Sequence, residues 1–381
     1  VLYMQKINRL YKLDKIFELT QKIKKEYGFE PYNLSNWQIS EYYENYILGI
    51  MQFKSLKKIL SYQYTYTFDK CIYDSLKEKL CVAKDQEIMI TSNNTLSILL
   101  VSNFLKQIKC KKICIVAPSY FSTYECLNLL DIPFDKLYLN HTKNNYKLPS
   151  HDVLEKYDYI WLTSPAFSSS VYLDIDDIKI LKKLQNNDKM IICDEAYSYI
   201  SKKFSSNNLI PDISIVCPHK PLNINSFKFS AIIYNKKYND IFIHWSDIIH
   251  GNLNISSVEA VHHFLSKNYQ ICLNENQKFI KNAFNKVKNI LNKYNNFYID
   301  ESCEGNMIMI YNKKINYNVF YKKDFLEKLI LNTNGFILPA YFHDYDESYG
   351  FCFRINLCLY DNKKFLIALD KVLYYLSNSY E

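Results

Sequence analysis

Four short segments of the chain follow predicted strands and contain side chains that act as acids, bases or nucleophiles. They are the segments 91–95, 118–124, 194–197 and 219–220. A lysine such as Lys220 can attack a carbonyl group, and a carboxylate such as Asp194 can hold a positively charged partner or a proton. An Asp-Glu pair at a strand end also occurs in P-loop NTPases. That class is excluded here, because the sequence contains no G-x-x-x-x-G-K-[ST] motif.

These segments belong to a region in which predicted strands alternate with predicted helices. The predicted strands are 87–91, 112–117, 136–139, 159–163, 190–193, 213–216 and 230–234, and the helices between them include 72–80, 95–106, 120–130 and 175–184. This alternation predicts a mainly parallel sheet with helices on both faces. Ligands of such sheets bind at the carboxyl ends of the strands, where the four segments lie.

The regions on either side have a different pattern. An amphipathic helix is predicted before Gly28, a polar loop at 30–37, and a second helical stretch at 39–60. After Gly251 we expect a long helical region at 256–294, strands at 307–311, 336–338 and 351–356, and a last helix at 363–376. We therefore expect an N-terminal segment (1–60) that packs with a small domain, a large domain (61–265) and a small C-terminal α/β domain (266–381).

The composition is that of a globular protein without a membrane or nucleic-acid partner. The chain has 381 residues, of which 48% are hydrophobic and 23% charged, and its net charge of +8 is spread along the sequence. Eleven cysteines without a C-x-x-C pair predict free thiols in a reducing compartment. With no signal peptide or long apolar run, the expected location is the cytoplasm. There are only six glycines, so Asn and Ser are expected in tight turns.

Taken together, the segments resemble the pyridoxal-phosphate (PLP) enzymes of fold type I, in particular the class I/II aminotransferases, including histidinol-phosphate aminotransferase-like members. The resemblance covers about residues 60–360. It rests on a Pro-x-Tyr-x-x-x-Tyr segment at 118–124, Asp-Glu-Ala-Tyr at 194–197, a lysine 26 residues after Asp194, Asn-Leu-Asn-Ile-Ser-Ser at 252–257 and Phe-Arg-Ile-Asn at 353–356. It implies an α/β fold like that of aspartate aminotransferase, with a large domain around a mostly parallel sheet and a smaller α/β domain.

The resemblance also implies roles for individual residues toward PLP. Lys220 would form the Schiff base and move the substrate's α-proton, and Asp194 would keep the ring nitrogen protonated. Tyr197 would donate to the phenolic oxygen of the cofactor, and Tyr120 would stack on its ring. The backbone of Asn94 and Thr95, at a helix N-terminus, would bind the phosphate.

Five further residues are assigned from the same resemblance. Arg354 matches an arginine that binds the substrate's α-carboxylate, and Asn36, in a loop that contributes to the substrate pocket, is assigned to substrate binding. Tyr66 matches a tyrosine that reaches the phosphate of the neighbouring subunit, which implies a homodimer. Lys228 stands where the family has a phosphate-binding arginine, and His219 replaces a small hydroxyl residue before the lysine.

One departure from the family concerns the reaction. Phe167 stands where an asparagine normally donates to the cofactor's phenolic oxygen, and a phenyl ring cannot donate. Three functions stay open: an aminotransferase acting between an amino acid and a 2-oxo acid; a PLP-dependent lyase, decarboxylase, cyclase or oxidase on the same scaffold; and a non-catalytic homologue. No metal site is expected, because Asp174, Asp176 and Asp177 are predicted to cap a helix and the acidic loop 343–347 to be solvated.

Overall fold

The computed structural model of the protein describes residues 2–36, 40–50, 70–142, 145–204, 209–224, 228–249, 255–322, 324–360 and 363–380. The α-helices in these residues are α1 (Leu2–Tyr27), α2 (Glu41–Ile50), α3 (Lys70–Lys79), α4 (Asn94–Gln107), α5 (Phe121–Leu129), α6 (His151–Leu154), α7 (Ile175–Asn186), α8 (Asn239–Ile249), α9 (Ile255–Lys267), α10 (Tyr269–Leu291), α11 (Phe325–Thr333) and α12 (Lys364–Tyr380). Within the described residues, none of these helices has the length and apolarity needed to cross a membrane.

The β-strands are β1 (Tyr32–Asn33), β2 (Gln86–Thr91), β3 (Ile113–Ala117), β4 (Phe134–Tyr138), β5 (Asn140–Thr142), β6 (Asn145–Lys147), β7 (Tyr159–Thr163), β8 (Met190–Glu195), β9 (Ile213–Val216), β10 (Ser230–Asn235), β11 (Phe297–Ile299), β12 (Met307–Asn312), β13 (Gly335–Phe336) and β14 (Phe351–Asn356). The chain divides into two compact units. One unit comprises Val1–Glu44, Phe279–Glu301 and Asn306–Glu381, and the other comprises Asn45–Lys278 and Ser302–Gly305.

The second unit is built around a seven-stranded sheet with the order β2-β10-β9-β8-β7-β3-β4. The strand β10 runs antiparallel to both of its neighbours, β2 and β9, and the other pairs are parallel. The central strands are mainly apolar runs, and every residue of β3 and β9 is buried. Such runs are typical of parallel strands that are covered on both faces. The predicted α/β fold with a mostly parallel sheet is therefore confirmed.

The direction of these strands determines where the polar segments lie. Because β10 is antiparallel to β2 and to β9, the strands β2, β3, β7, β8 and β9 all point the same way. Their carboxyl ends therefore meet along one edge of the sheet, where ligands of open α/β sheets bind. The segments that begin at Asn93, Pro118, Ser164 and Cys217 leave the sheet at this edge, and β8 ends there at Glu195.

Side chains at the starts of two helices of this unit supply hydrogen-bond acceptors. The Asn93 side chain accepts the Leu96 N–H at the start of α4, and Asp174 accepts the N–H groups of Asp176 and Asp177 at the start of α7. These bonds replace the intrahelical partners that the first N–H groups of a helix lack. The predicted cap before α7 is thus present.

The first unit contains a three-stranded antiparallel sheet, β11-β12-β14, and a parallel pair, β1-β13. Its helices α1 and α11 share a small apolar core that includes Ile16, Ile23, Ile330 and Phe336. The polar loop predicted at 30–37 contains β1, a strand of two residues that pairs with β13 far along the chain. The single helical region predicted at 256–294 is two helices, α9 and α10, which are interrupted at Asn268.

Candidate active site

Asp194 lies at the carboxyl end of β8 and is almost completely buried, with 2% of its surface exposed. Its Oδ1 accepts the backbone N–H of Ala196 at 3.0 Å, and its Oδ2 accepts a hydrogen bond from Nδ2 of Asn94 at 3.3 Å. Burial raises the pKa of Asp194, and the nearby Lys220 and these two donors offset only part of that effect. A positively charged partner stabilises the ionised form of a buried carboxyl group.

Lys220 begins a short 3-10 turn separated from β9 by three residues, so its side chain starts at the same sheet edge as Asp194. The Lys220 N–H donates to the carbonyl of Cys217 at 3.0 Å, and the Asn223 N–H donates to the carbonyl of Lys220 at 2.9 Å. Asn223 ends the turn in the left-handed conformation, with φ of 55°. Asparagine tolerates this conformation better than most residues, which is consistent with the expectation that Asn replaces Gly in tight turns.

The amine of Lys220 lies among polar and aromatic groups of the same unit. Its Nζ is 5.3 Å from the centre of the Tyr197 ring, within the range of a cation–π contact. Burial lowers the pKa of Lys220, but the opposing effect of its neighbours is larger and leaves the pKa raised. These neighbours are Cys217, Tyr197, Asp194 and Tyr120. The structure therefore brings together three of the residues predicted to carry the chemistry: Lys220, Asp194 and Tyr197.

Tyrosine side chains fix the turn that carries Tyr197. The Tyr172 hydroxyl accepts the N–H of Tyr199 at 3.1 Å, and the Tyr269 hydroxyl accepts the N–H of Ile200 at 3.0 Å. The Tyr199 hydroxyl donates to the carbonyl of Glu304 at 3.1 Å. Because these bonds hold backbone groups just after Tyr197, they restrict where its ring can lie.

Phe167 lies in the turn after β7, where 7% of its surface is exposed. Its ring packs against Tyr120, which follows β3, with the ring centres 5.8 Å apart. Tyr120 also interacts electrostatically with the Lys220 amine. The aromatic pair therefore forms part of the surroundings of Lys220.

The residues predicted to bind a phosphate have different environments. Asn94 and Thr95 are the first two residues of α4, and N–H groups at this position have no acceptor within their own helix. His219 is buried, and burial and then the neighbouring charges of Lys220 and Lys228 lower its pKa to about 3. It is therefore neutral at physiological pH, and Lys228 is an exposed cation close enough to influence it. The predicted residue Tyr66 lies outside the described residues.

The two predicted substrate-binding residues, Arg354 and Asn36, both belong to the first unit. Arg354 lies on β14, is completely buried, and donates from Nη2 to the carbonyl of Ser35 at 2.8 Å. The Ser35 hydroxyl donates to the carbonyl of Arg354. Asn356, two residues further along β14, donates from Nδ2 to the carbonyl of Asn36 at 3.0 Å. Within this unit, hydrogen bonds thus hold the loop that contains Asn36 against the strand that contains Arg354.

One surface group has the composition of a metal site. In the described part of the chain, ligand atoms of His151, Asp152 and Glu155 lie within 4.8 Å of one another. Glu155 also accepts a hydrogen bond from Nδ2 of Asn187 at 2.7 Å, and both carboxylates are exposed. Exposed groups of this kind are common without an ion, so we assign no metal site here.

Sequence reasoning did not identify Cys217, which is buried three residues before Lys220. Its Sγ lies 3.8 Å from Oδ1 of Asn94, whose amide nitrogen donates to Asp194. Nor did it identify the supporting tyrosines Tyr172 and Tyr269. Neither kind of residue forms a pattern in the sequence, since their partners are 27 to 123 residues away along the chain.

Comparison with solved structures shows the same fold along nearly the whole chain. The protein is similar to a PLP-bound C-S lyase from Staphylococcus hominis, with a TM-score of 0.70 and 17% identity over 94% of this chain and 95% of that chain. It is similar to a kynurenine aminotransferase from Pyrococcus horikoshii, with a TM-score of 0.72 and 15% identity over 96% of this chain and 94% of that chain. It is also similar to the histidinol-phosphate aminotransferase from Clostridium acetobutylicum, with a TM-score of 0.67 and 19% identity over 91% of this chain and 100% of that chain.

At the level of sequence, no curated protein matches the chain significantly. The family model for aminotransferase class I and II does match, and it covers residues 35–372. This range covers most of the chain and contains every predicted site residue. The chain therefore belongs to the class I and II aminotransferases, a family of PLP-dependent enzymes.

Proposed function

We propose that this protein is a PLP-dependent aminotransferase that moves an amino group between an amino acid and a 2-oxo acid, with Lys220 as the residue that binds the cofactor. The observation that supports this most directly is the position of the Lys220 amine. It lies over the Tyr197 ring at 5.3 Å and within the electrostatic influence of the buried Asp194. A nucleophilic amine, a buried carboxylate and a phenol are the groups that PLP chemistry requires.

The buried carboxylate of Asp194 suits the ring nitrogen of PLP. It is held by the Ala196 N–H and the Asn94 side chain, and burial raises its pKa. A protonated ring nitrogen would supply the positive partner that a buried carboxylate needs. The residues present therefore fit the cofactor at this position.

When bound, PLP withdraws electrons from the α-carbon of an amino acid and so makes its proton acidic. The protein's own groups then have separate tasks. In its neutral form, the Nζ of Lys220 would take the proton from the α-carbon of the amino acid and hold it for its return. Asp194 would keep the ring nitrogen protonated, and the Tyr197 hydroxyl would donate to the phenolic oxygen. Tyr120 would support the cofactor's ring and exclude water from it.

The remaining assignments concern the phosphate and the substrate. We assign the phosphate to the N–H groups of Asn94 and Thr95, with the positive charge of Lys228 nearby and Tyr66 supplied by a second subunit of a homodimer. We assign the substrate's α-carboxylate to Arg354, whose planar guanidinium can bind both carboxylate oxygens. Asn36 would contribute to the substrate pocket. Cytoplasmic location is part of the same proposal.

The first test is the absorbance spectrum of the purified protein with added PLP. We expect a visible absorbance band that borohydride reduction removes while leaving the cofactor covalently attached to the protein. Lys220→Ala should lack this band, and Lys236→Ala, which removes an exposed lysine, should retain it. A wild-type protein without such a band at excess PLP would contradict the proposal. Amino acids would then be screened with and without a 2-oxo acid acceptor.

Phe167 motivates a second candidate, a PLP enzyme that breaks bonds instead of transferring the amino group. A phenyl ring cannot donate to the phenolic oxygen, so Tyr197 would be its side-chain donor from this part of the site. Loss of one hydrogen bond to a charged group costs about 1.5–3 kcal/mol, which is enough to alter the partition between reactions. Exchange of the α-proton with solvent, without transfer to any 2-oxo acid and with release of a cleaved product, would favour this second function.

A further inference from the structure

Three buried side chains form a linked row behind the Lys220 turn. The Sγ of Cys217 lies 3.8 Å from Oδ1 of Asn94, and Nδ2 of Asn94 lies 3.3 Å from Oδ2 of Asp194. Cys217 is 1% exposed and Asn94 is 5% exposed, so water does not take the place of either contact. The row joins the end of β9 to the start of α4 and to the end of β8.

The two neighbours of Asn94 have opposite hydrogen-bonding character. A carboxylate only accepts hydrogen bonds, whereas a thiol donates weakly through S–H. Burial keeps Cys217 in the thiol form by raising its pKa. The amide of Asn94 therefore has one favourable orientation, with its oxygen toward Cys217 and its NH₂ group toward Asp194. In the reverse orientation, the amide oxygen would face the carboxylate, which is repulsive.

The surroundings hold this row in place. Asn94 is the first residue of α4, and the bond from Leu96 N–H to the Asn93 side chain fixes the start of that helix at 3.0 Å. The Ser230 hydroxyl interacts with Cys217 and with Ser97, whose hydroxyl oxygen lies 2.9 Å from that of Ser230. Neither Asn94 nor Cys217 is thus free to move away from Asp194.

We propose that Asn94 is a positioning residue that orients Asp194 toward the cofactor's ring nitrogen through its side-chain amide, and that the Cys217 thiol fixes the orientation of that amide. This role differs from the phosphate binding assigned to the Asn94 backbone. It rests on the proposed function, because the ring nitrogen is the group that Asp194 would hold.

The sharpest test is Asn94→Asp, which keeps the shape of the side chain. The ionised aspartate cannot donate to Asp194 and repels it, whereas the protonated aspartate can donate again. At pH 8 we expect PLP to dissociate at least about tenfold more readily than from wild type, since a hydrogen bond to a charged group is lost. Between pH 8 and pH 5, the ratio of variant to wild-type dissociation constants should fall toward one. Asp194, Cys217 and Lys220 are the titratable groups around position 94 in both proteins, and the ratio compares variant and wild type at the same pH.

A pair of variants tests the thiol. Cys217→Ser keeps a donor and should bind PLP within about twofold of wild type, and Cys217→Ala should bind it several times more weakly. Cys114→Ala is the matched control, because Cys114 is a buried thiol on β3 of the same sheet and makes no contact with Asn94 or Asp194 in the described structure. It should change stability without changing PLP affinity.

The outcomes separate this inference from the function on which it rests. If wild type binds PLP and Asn94→Asp binds it equally well at pH 8, Asn94 does not position Asp194 and the inference is wrong. Equal affinity of Cys217→Ser and Cys217→Ala would contradict the role of the thiol. A wild-type protein that takes up no PLP would overturn the proposed function, and this inference with it.

Discussion

The ring of Phe167 lies against the ring of Tyr120, with their centres 5.8 Å apart and their planes inclined by 58°. Both residues follow strands that end at the same sheet edge as Asp194. The pair places two aromatic rings at this side of the candidate site. The resemblance to the family implies an asparagine at position 167, where this chain has a side chain that cannot donate a hydrogen bond.

We expect Phe167→Asn to change the protonation of the bound cofactor. An added donor draws electron density from the phenolic oxygen of the cofactor. That oxygen then stabilises the protonated nitrogen of the Lys220 Schiff base less well. The pKa of the visible spectral transition should therefore fall by about one unit, equivalent to about 1.4 kcal/mol. A pH titration of the absorbance of PLP-loaded protein measures this shift. Phe167→Leu is the control, since it removes the ring without adding a donor, and an equal shift in both variants would contradict the explanation.

The large sheet was predictable because its strands are short, continuous apolar runs. The strands Tyr159–Thr163 and Ile213–Val216 have the predicted bounds, since burial on both faces leaves no ambiguity about where each run stops. The pair β1-β13 was not predicted. Each of these strands has two residues, and their stability comes from a partner about 300 residues away, which local sequence does not reveal.

The same distinction applies to the candidate site. Asp194 and Lys220 could be assigned because the order and spacing of their segments resemble those of the class I and II aminotransferases. Cys217 could not, because a buried cysteine next to a strand is usually a core residue. The use of asparagine in left-handed turns, as at Asn223 and Asn334, was predicted, although the positions were not. Six glycines cannot supply all the turns of 381 residues. Ser170, with φ of 56°, agrees with the expectation that serine also replaces glycine in tight turns.

Tyr172→Phe tests whether the tyrosine hydroxyls position Tyr197. The hydroxyl of Tyr172 accepts the backbone N–H of Tyr199 at 3.1 Å, so its loss leaves that N–H without this acceptor. We expect the free energy of unfolding to fall by about 1 kcal/mol and PLP affinity to fall several-fold. Denaturant unfolding and PLP titration measure the two effects.

The control is Tyr157→Phe, which removes a hydroxyl that donates at 2.7 Å to Asp135 on β4, the strand at one edge of the sheet. It should lower the free energy of unfolding and leave PLP affinity unchanged. If Tyr172→Phe also leaves PLP affinity unchanged, the Tyr172 hydroxyl stabilises the turn without positioning Tyr197.

Asp177→Asn should stabilise the protein at neutral pH. Burial raises the pKa of Asp177 to about 6, so the folded protein holds a proton there that the unfolded chain releases near its ordinary value. Stability from this group is present at low pH and is lost as pH rises toward 6. Asparagine resembles the protonated form and can still accept the Leu148 N–H at 2.9 Å. We expect a gain on the order of 1 kcal/mol at pH 7.5 and none at pH 4.

Thermal unfolding across this pH range measures the effect. Asp176→Asn is the matched control, because Asp176 lies on the same helical turn but is exposed and pairs with Lys179 at its surface. It should change the melting temperature little at any pH. A stabilisation by Asp177→Asn that is as large at pH 4 as at pH 7.5 would contradict the role of ionisation.

Arg354→Lys tests the proposed carboxylate site. Arg354 is completely buried on β14, and its Nη2 donates to the uncharged carbonyl of Ser35 at 2.8 Å. Lysine keeps the positive charge but cannot present two parallel N–H groups to a carboxylate. If Arg354 binds the substrate, KM for the amino acid should rise by about 30- to 100-fold, the equivalent of about 2–3 kcal/mol, while PLP affinity stays unchanged.

A structural effect on the same segment must be separated from loss of the carboxylate contact. Asn356→Ala provides this control, because Asn356 Nδ2 donates to the carbonyl of Asn36 at 3.0 Å and carries no charge. It should lower the melting temperature and raise KM only a few-fold. Steady-state kinetics and PLP titration of both variants give the comparison. If Arg354→Lys and Asn356→Ala raise KM equally, Arg354 holds the loop that contains Asn36 and does not bind the substrate.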